Sequence, residues 1–173
     1  MNAFCFYGET MEFRKLEEAD FPLMKEFFRS VFTREPWCDD WSNDVQLSAY
    51  IRDIAGCFNS ISFGFFDGGK MAALCIGKKH HWWGGTEYFI EELCVRFDLQ
   101  GKGIGTQFMA EIEREILKHG MDQIYLQTER GKPAVGFYKK LGFNEIEDTV
   151  CFHKQVEKNE NTMTRGFSIF QLK

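Results

Sequence analysis

Gln100-Gly101-Lys102-Gly103-Ile104-Gly105-Thr106 is the stretch of this 173-residue sequence on which the prediction of its fold depends. It directly follows an apolar strand-like run and directly opens a segment of helical periodicity. Glycines let the backbone turn so that consecutive N–H groups point at one centre, and the start of a helix adds partial positive charge there. The stretch therefore predicts a loop that cradles a pyrophosphate.

Two other nucleotide loops do not match this stretch. A Walker A loop needs Gly-x-x-x-x-Gly-Lys followed by Ser or Thr. A dinucleotide-binding loop needs Gly-x-Gly-x-x-Gly, with an acidic residue about 20 positions later on a following strand. Neither spacing is present, so both of these classes of phosphate site are excluded.

Upstream of the loop, the hydrophobic patterning predicts one strand, then two helices, then three further strands. Asp20 is placed to cap the first helix and Ser42 the second, which Gly56 is placed to end. The predicted strands cover residues 11–16, 60–66, 70–77 and 87–95. The turn Asp67-Gly68-Gly69 indicates that the second and third of these form an antiparallel hairpin.

Downstream of the loop, helical periodicity covers residues 105–119, and Gly120 suits the C-terminal cap. Pro133 is placed in the first turn of a further helix that ends before Gly142. Residues 123–128, 143–152 and 166–172 have β character. Hairpins first and a β-α-β arrangement later predict an α+β fold, with a mixed, mostly antiparallel central sheet flanked by helices.

The composition predicts one domain over residues 1–173 with a single apolar core. No uninterrupted apolar stretch approaches the roughly 20 residues of a membrane span, so no membrane partner is expected. The six cysteines include no Cys-x-x-Cys pair and favour a cytoplasmic location. The formal net charge of −5 argues against binding to nucleic acid and suits a cationic small molecule, although mild acidity also simply aids solubility.

The loop resembles the Gln/Arg-x-x-Gly-x-Gly/Ala motif with which GNAT N-acetyltransferases bind the pyrophosphate of coenzyme A. Gln100, Gly103 and Gly105 fill its defining positions. A second block, Ala134-Val135-Gly136-Phe137-Tyr138-Lys139-Lys140-Leu141-Gly142-Phe143, resembles the late helix and following strand of that family. The resemblance covers about residues 11–152. Lys132-Pro133 departs from it, because many members have an asparagine near this helix start, which puts one coenzyme contact in question.

This resemblance implies the GNAT fold, acetyl-CoA as the acetyl donor, no metal and, as is frequent in the family, a homodimer. It also implies that the strand before the loop runs beside the pantetheine arm, with the Val95 N–H as the donor to the oxyanion and an acid of that strand as general base. We assign the base to Glu91. The implied coenzyme contacts are Leu93, Cys94, Val95, Gln100, Gly101, Lys102, Gly103, Ile104, Gly105, Thr106, Phe137 and Lys140.

Glu92 is the rival of Glu91 for the role of base. Strict alternation places Glu91 on the face of Leu93, and Glu92 on the face of Ile90 and Cys94. Helices are expected on both faces, so the pattern leaves open which carboxylate faces the acceptor. Alternatively both are ordinary strand acids that meet solvent or a salt bridge, but adjacent carboxylates in an apolar strand are costly without partners.

Tyr138 resembles the helix tyrosine that protonates the departing thiolate in this family; packing beside Phe137 is the alternative. The acceptor pocket of GNAT folds is commonly lined by the segment between the first two helices, here residues 33–41. Aromatic rings and carboxylates together can hold a cation. The predicted acceptor contacts are Glu35, Trp37, Asp40 and Trp41, in a segment that resembles aminoglycoside 6′-N-acetyltransferases. Alternatively, the tryptophans fill the core while the acids face solvent.

These residues predict direct transfer of an acetyl group from acetyl-CoA to a primary amine of a small cationic acceptor, such as an aminoglycoside or a polyamine. Three alternatives stay open. They are a non-catalytic acyl-CoA-binding or sensory module, an enzyme for peptide or protein amines, and an enzyme that uses a longer acyl donor or an oxygen acceptor. His80 and His81 are adjacent in a hairpin and point apart, so they predict no metal site.

Overall fold

One five-stranded sheet organises the protein, and the computed structural model describes residues 11–156. The strands are β1 (Glu12–Leu16), β2 (Ser60–Asp67), β3 (Lys70–Trp82), β4 (Gly85–Val95) and β5 (Gln123–Leu126). They lie in chain order across the sheet; β4 and β5 are parallel, and every other neighbouring pair is antiparallel. The predicted mixed, mostly antiparallel sheet is therefore confirmed.

The described residues form four α-helices: α1 (Phe21–Phe32), α2 (Asp44–Ala55), α3 (Ile104–Lys118) and α4 (Pro133–Lys140). α1 and α2 pack their apolar stripes on one face, where the buried core includes Met24, Phe28, Leu47, Ile51, Leu74, Ile76 and Cys94. α3 covers the opposite face, since its Phe108 ring packs against those of Phe13 and Phe65. The sheet is thus flanked by helices on both faces, as predicted.

The chain divides into two compact units, Met1–Gln127 and Thr128–Lys173. The first unit holds the sheet and α1 to α3. In the second unit, the Tyr138 ring of α4 lies edge-on to those of Phe137 and Phe143, with centroids 5.2 and 5.3 Å apart. Lys139 forms an ion pair with Glu145 at 3.2 Å. No helix within residues 11–156 is long and apolar enough to cross a membrane.

Two local predictions are wrong. Asn43, not Ser42, caps α2, because its side chain accepts hydrogen bonds from the N–H groups of Val45 and Gln46. Residues 143–152 form no strand in the described part of the chain. The large apolar side chains of this segment that are exposed are Ile146, Val150 and Phe152, and local β character alone does not supply a pairing partner. The predicted strand at residues 166–172 lies outside the described residues.

Candidate active site

β4 has an open edge at the end that leads into the glycine-containing loop. Within the described residues, β5 pairs with residues 87–90 of β4 and leaves residues 91–95 without a strand on that side. On the other side, the Arg96 N–H donates to the Ala72 carbonyl at 2.8 Å. Because hydrogen-bonding positions alternate along an antiparallel pair, the N–H groups of Leu93 and Val95 point away from β3, toward the open edge.

The loop after β4 is held by its own first residue and by two glycines. Gln100 Nε2 donates to the Val95 carbonyl at 2.9 Å, which ties the loop to the end of the strand. Gly101 has a φ of 70° and Gly103 one of 81°, a conformation that residues with a Cβ rarely adopt. A Cβ built on either glycine meets nothing within 4 Å, so the glycines serve the backbone path and leave the loop surface uncovered.

The loop leads directly into α3, whose first turn contains Ile104, Gly105 and Thr106. Gln107 N–H donates to the Gly103 carbonyl at 3.0 Å and so begins the hydrogen-bond ladder of the helix. The N–H groups before it have no acceptor of their own within a helix and point out of its start. Lys102 is exposed beside them. An open backbone surface at a helix start is of the kind that binds phosphate groups, and the pyrophosphate role of this loop stays a prediction.

A β-bulge interrupts β4 at the two adjacent carboxylates. The register pairs Ile76 with Glu92 but Gly77 with Ile90, so Glu91 is the extra residue on β4. A bulge of this kind breaks the alternation of side chains between the two faces of a strand. The prediction from strict alternation, that Glu91 and Glu92 lie on opposite faces, is therefore wrong.

Both carboxylates lie on the face that α1 and α2 cover. Glu92 is 7% exposed and accepts a hydrogen bond from the hydroxyl of Tyr50 on α2. Glu91 forms an ion pair with Lys78, which lies two residues from the core residue Ile76 on β3 and hence on the same face. The pKa of Tyr50 is raised, mainly by burial and further by the negative charges of Glu92 and Glu91, so its hydroxyl is the donor.

The segment between α1 and α2 reaches this region through an aromatic stack. The Trp41 ring stacks on that of Tyr50, with centroids 5.1 Å apart, and its Nε1 donates to Asp39 at 3.4 Å. Trp37 packs against Phe32, with centroids 5.6 Å apart. Both tryptophans pack against the core but are only partly buried, so part of each side chain remains accessible.

The two acids predicted to bind the acceptor lie at the surface of this segment. Glu35 and Asp40 are both exposed. Asp40 accepts a hydrogen bond from the Ser42 N–H at 3.1 Å, and hydrogen bonds from the side chain and backbone of Ser42 lower the pKa of its carboxyl. The structure thus brings Trp41 together with Glu92 through Tyr50, and holds Asp40 in a local turn.

The remaining predicted site residues divide between the two units. Cys94 is 5% exposed and packs in the core beneath α1 and α2. Phe137, Tyr138 and Lys140 belong to α4 in the second unit, and their predicted roles stay predictions. No group of three or more His, Cys, Asp or Glu side chains within residues 11–156 is arranged to hold a metal ion.

Sequence reasoning missed two residues of this site, Tyr50 and Lys78. The helical spacing of Tyr50 with Leu47 and Ile51 predicts only that it belongs to the apolar stripe of α2. The available signal was its hydroxyl, since a buried tyrosine usually needs a hydrogen-bond partner. Lys78 meets Glu91 through the pairing of β3 with β4, in which Lys78 lies opposite Phe89, and nothing in the local sequence indicates that register.

Comparisons with known proteins show the family and the fold of this chain. Residues 12–143 match the model of the Acetyltransferase (GNAT) family. The chain is 28% identical over 72 residues to a thialysine N-epsilon-acetyltransferase of Sus scrofa. That match spans 41% of this chain and 42% of the length of the pig protein.

Solved structures share the fold over nearly their whole length. An aminoglycoside acetyltransferase from an uncultured soil metagenomic sample, in complex with sisomicin, matches with a TM-score of 0.66 and 16% identity, over 85% of this chain and 97% of its own. The aminoglycoside N-acetyltransferase AAC(6')-Iy in complex with CoA matches with a TM-score of 0.67 and 17% identity, over 87% of this chain and 98% of its own. At these identities the likeness shows the fold.

Proposed function

This chain belongs to the GNAT acetyltransferase family, and from that premise we propose that it transfers an acetyl group from acetyl-CoA to a primary amine of a small cationic acceptor. The observation that carries the proposal is the pair Glu91 and Glu92, held on one face of β4 beside its open edge. Acyl transfer to an amine needs a base, a donor to the oxyanion and a proton for the thiolate. The chain offers a candidate for each.

The donor would be held along the open edge of β4 and by the loop that follows. Its pyrophosphate fits the backbone of residues 101–106, and its pantetheine arm fits the N–H groups of Leu93 and Val95. Bound there, acetyl-CoA supplies an activated thioester. Val95 N–H is the proposed donor to the oxyanion. Leu93 N–H is a second candidate, because it points the same way and lies closer along the strand to the two carboxylates.

Glu91 is the proposed general base. Its side chain is 23% exposed, whereas Glu92 is 7% exposed and bound to Tyr50, so an acceptor reaches Glu91 more easily. The ion pair between Glu91 and Lys78 is partly exposed, and such pairs are weak enough to exchange partners. Glu92 is the alternative base. With Glu91 as the base, Glu92 instead holds a negative charge beside the acceptor. Tyr138 of α4 is the proposed acid for the thiolate.

The acceptor is proposed to bind at residues 33–41, through Glu35, Trp37, Asp40 and Trp41. The contact of Trp41 with Tyr50 supports this, because it links the segment to the carboxylate face of β4. A small acceptor is further supported by the relatives, whose names specify thialysine and aminoglycosides.

The test is to incubate the protein with acetyl-CoA and a panel of aminoglycosides, polyamines, amino acids and lysine peptides. Thiol release reports turnover, and mass spectrometry identifies the acetylated product. We expect turnover of a small amine. Turnover of peptides alone would assign a protein or peptide acceptor, and binding of CoA by calorimetry without any turnover would point to a non-catalytic module.

Two matched variants on the same strand test the choice of base. Glu91→Gln is expected to lower kcat by about 100-fold or more, the usual effect of losing a general base, with an unchanged Kd for CoA. Glu92→Gln removes the neighbouring charge with the same change of shape and is expected to lower kcat less. The reverse order of effects would transfer the role of base to Glu92.

A further inference from the structure

We propose that Lys78 selects the acceptor by binding a carboxylate that the acceptor carries in addition to its amine. The preferred acceptor is then a cationic amino acid rather than a simple amine. The inference rests on the proposed function and goes beyond it by naming the class of acceptor and the residue that recognises it.

The position of Lys78 carries the inference. Its Nζ forms an ion pair with Glu91 and lies 4.9 Å from the centroid of the Phe89 ring, a second source of attraction for a cation. The side chain is 31% exposed, so a bound molecule can reach the ammonium group. Its Cα is paired with that of Phe89 across the two strands. A positive charge therefore lies directly beside the proposed base, on the face where an acceptor would bind.

The charges on this face favour a ligand with both signs. When a simple ammonium ion takes the place of Lys78 at Glu91, the Lys78 ammonium loses its carboxylate and gains nothing from the ligand. An amino acid instead replaces one ion pair by two, because its ammonium binds Glu91 and its carboxylate binds Lys78. The flexible four-carbon stem of lysine lets Nζ move aside without leaving the acceptor region.

Three amines of nearly equal shape test this preference: lysine, its decarboxylated counterpart cadaverine, and lysine amide, which lacks only the carboxylate charge. We expect kcat/KM for lysine to exceed that for each of the other two by about tenfold or more, the effect of a charge-assisted hydrogen bond. Equal or greater kcat/KM for cadaverine or lysine amide overturns the inference.

Substitutions at Lys78 assign the preference to this residue. Lys78→Met is expected to reduce the ratio of kcat/KM for lysine to that for cadaverine by about tenfold, and Lys78→Arg to keep most of it. Any effect that a substitution at Lys78 has on the base Glu91 changes kcat/KM for lysine and for cadaverine equally, so it cancels in their ratio. A thermal unfolding curve for each variant checks that it is folded. An unchanged ratio in a folded Lys78→Met protein overturns the role of Lys78.

The panel also separates this inference from the proposed function. Turnover of cadaverine equal to that of lysine leaves the proposed function standing and rejects the selection by Lys78. The absence of turnover on every amine of the panel rejects the proposed function, and the inference with it.

Discussion

The hydroxyl of Tyr50, on α2, donates a hydrogen bond to the carboxylate of Glu92, on β4, and so ties a helix to the strand that carries the candidate base. Because Glu92 is 7% exposed, water cannot readily replace this bond. Tyr50→Phe is therefore expected to lower the free energy of unfolding by about 1–3 kcal/mol, the cost of removing one partner from a buried polar pair. Urea unfolding measures this change.

Tyr125→Phe is the matched control for that substitution. The Tyr125 hydroxyl accepts an exposed hydrogen bond from Gln127 Nε2 at 3.2 Å, whereas its ring is half-buried and stacks on that of Phe89. Its removal is expected to change the free energy of unfolding by less than about 0.5 kcal/mol, as surface substitutions usually do. Equal losses in the two variants would show that the bond to Glu92 contributes nothing particular to stability.

The same burial of Tyr50 makes stability depend on pH in the alkaline range. Its pKa is raised in the folded protein, mainly by burial, whereas a tyrosine of the unfolded chain ionises at about pH 10. Above that pH the unfolded chain loses a proton that the folded protein keeps, so the free energy of unfolding falls as pH rises. Urea unfolding at pH 8, 10 and 11 measures the slope.

Tyr50→Phe is expected to make this alkaline slope shallower without abolishing it. Burial also raises the pKa of Tyr88, and it raises the pKa of Cys75 to about 12, so both continue to contribute. A slope in Tyr50→Phe as steep as in the unsubstituted protein would contradict the assignment of this contribution to Tyr50.

The two positive-φ glycines next to α3 allow stability and coenzyme binding to be separated. Gly103, with a φ of 81°, precedes the helix, and Gly120, with a φ of 71°, follows it. A Cβ at either position meets nothing within 4 Å, so alanine costs mainly backbone strain, about 1–2 kcal/mol, at both. Gly103→Ala is expected to raise the Kd for CoA by about tenfold, and Gly120→Ala to leave it unchanged.

Urea unfolding and calorimetric titration with CoA distinguish the two effects. The Gly120→Ala variant shows what the strain alone does, since it lies at the far end of the helix from the loop. A Kd raised equally in both variants would mean that CoA binding follows overall stability. An unchanged Kd in Gly103→Ala would remove this loop from the binding site.

Local sequence signals predicted most of the fold but not the arrangement of the carboxylates. Gly56 and Pro133 mark a helix end and a helix start as predicted: Gly56 is the C-cap residue of α2, and Pro133, with its fixed φ, opens α4. The face of Glu92 depends instead on the pairing of β4 with β3, which the period of either strand does not specify. The strand predicted at residues 143–152 is wrong for a related reason: β character in a sequence does not by itself specify a pairing partner, and this segment forms no strand in the described part of the chain.

Gly77 makes this pairing of β3 and β4 feasible. A Cβ at Gly77 would lie 2.5 Å from Tyr88 Cζ and 2.7 Å from the Phe89 carbonyl, next to the register shift at which Glu91 is the extra residue. The carbonyl is part of the sheet and cannot move alone. Gly77→Ala is therefore expected to lower the free energy of unfolding by about 1–3 kcal/mol, the usual cost of overpacking.

Gly84→Ala is the control for this last substitution, because Gly84 lies at the turn of the same hairpin and a Cβ there meets nothing within 4 Å. Its free energy of unfolding, measured in urea beside that of Gly77→Ala, is expected to stay within about 0.5 kcal/mol of the unsubstituted protein. Gly77→Ala should also lower the turnover of the amine acceptor, because the shifted strand carries Glu91. If Gly77→Ala keeps full stability and turnover, the register of β3 and β4 next to Glu91 does not require a residue without a side chain at position 77.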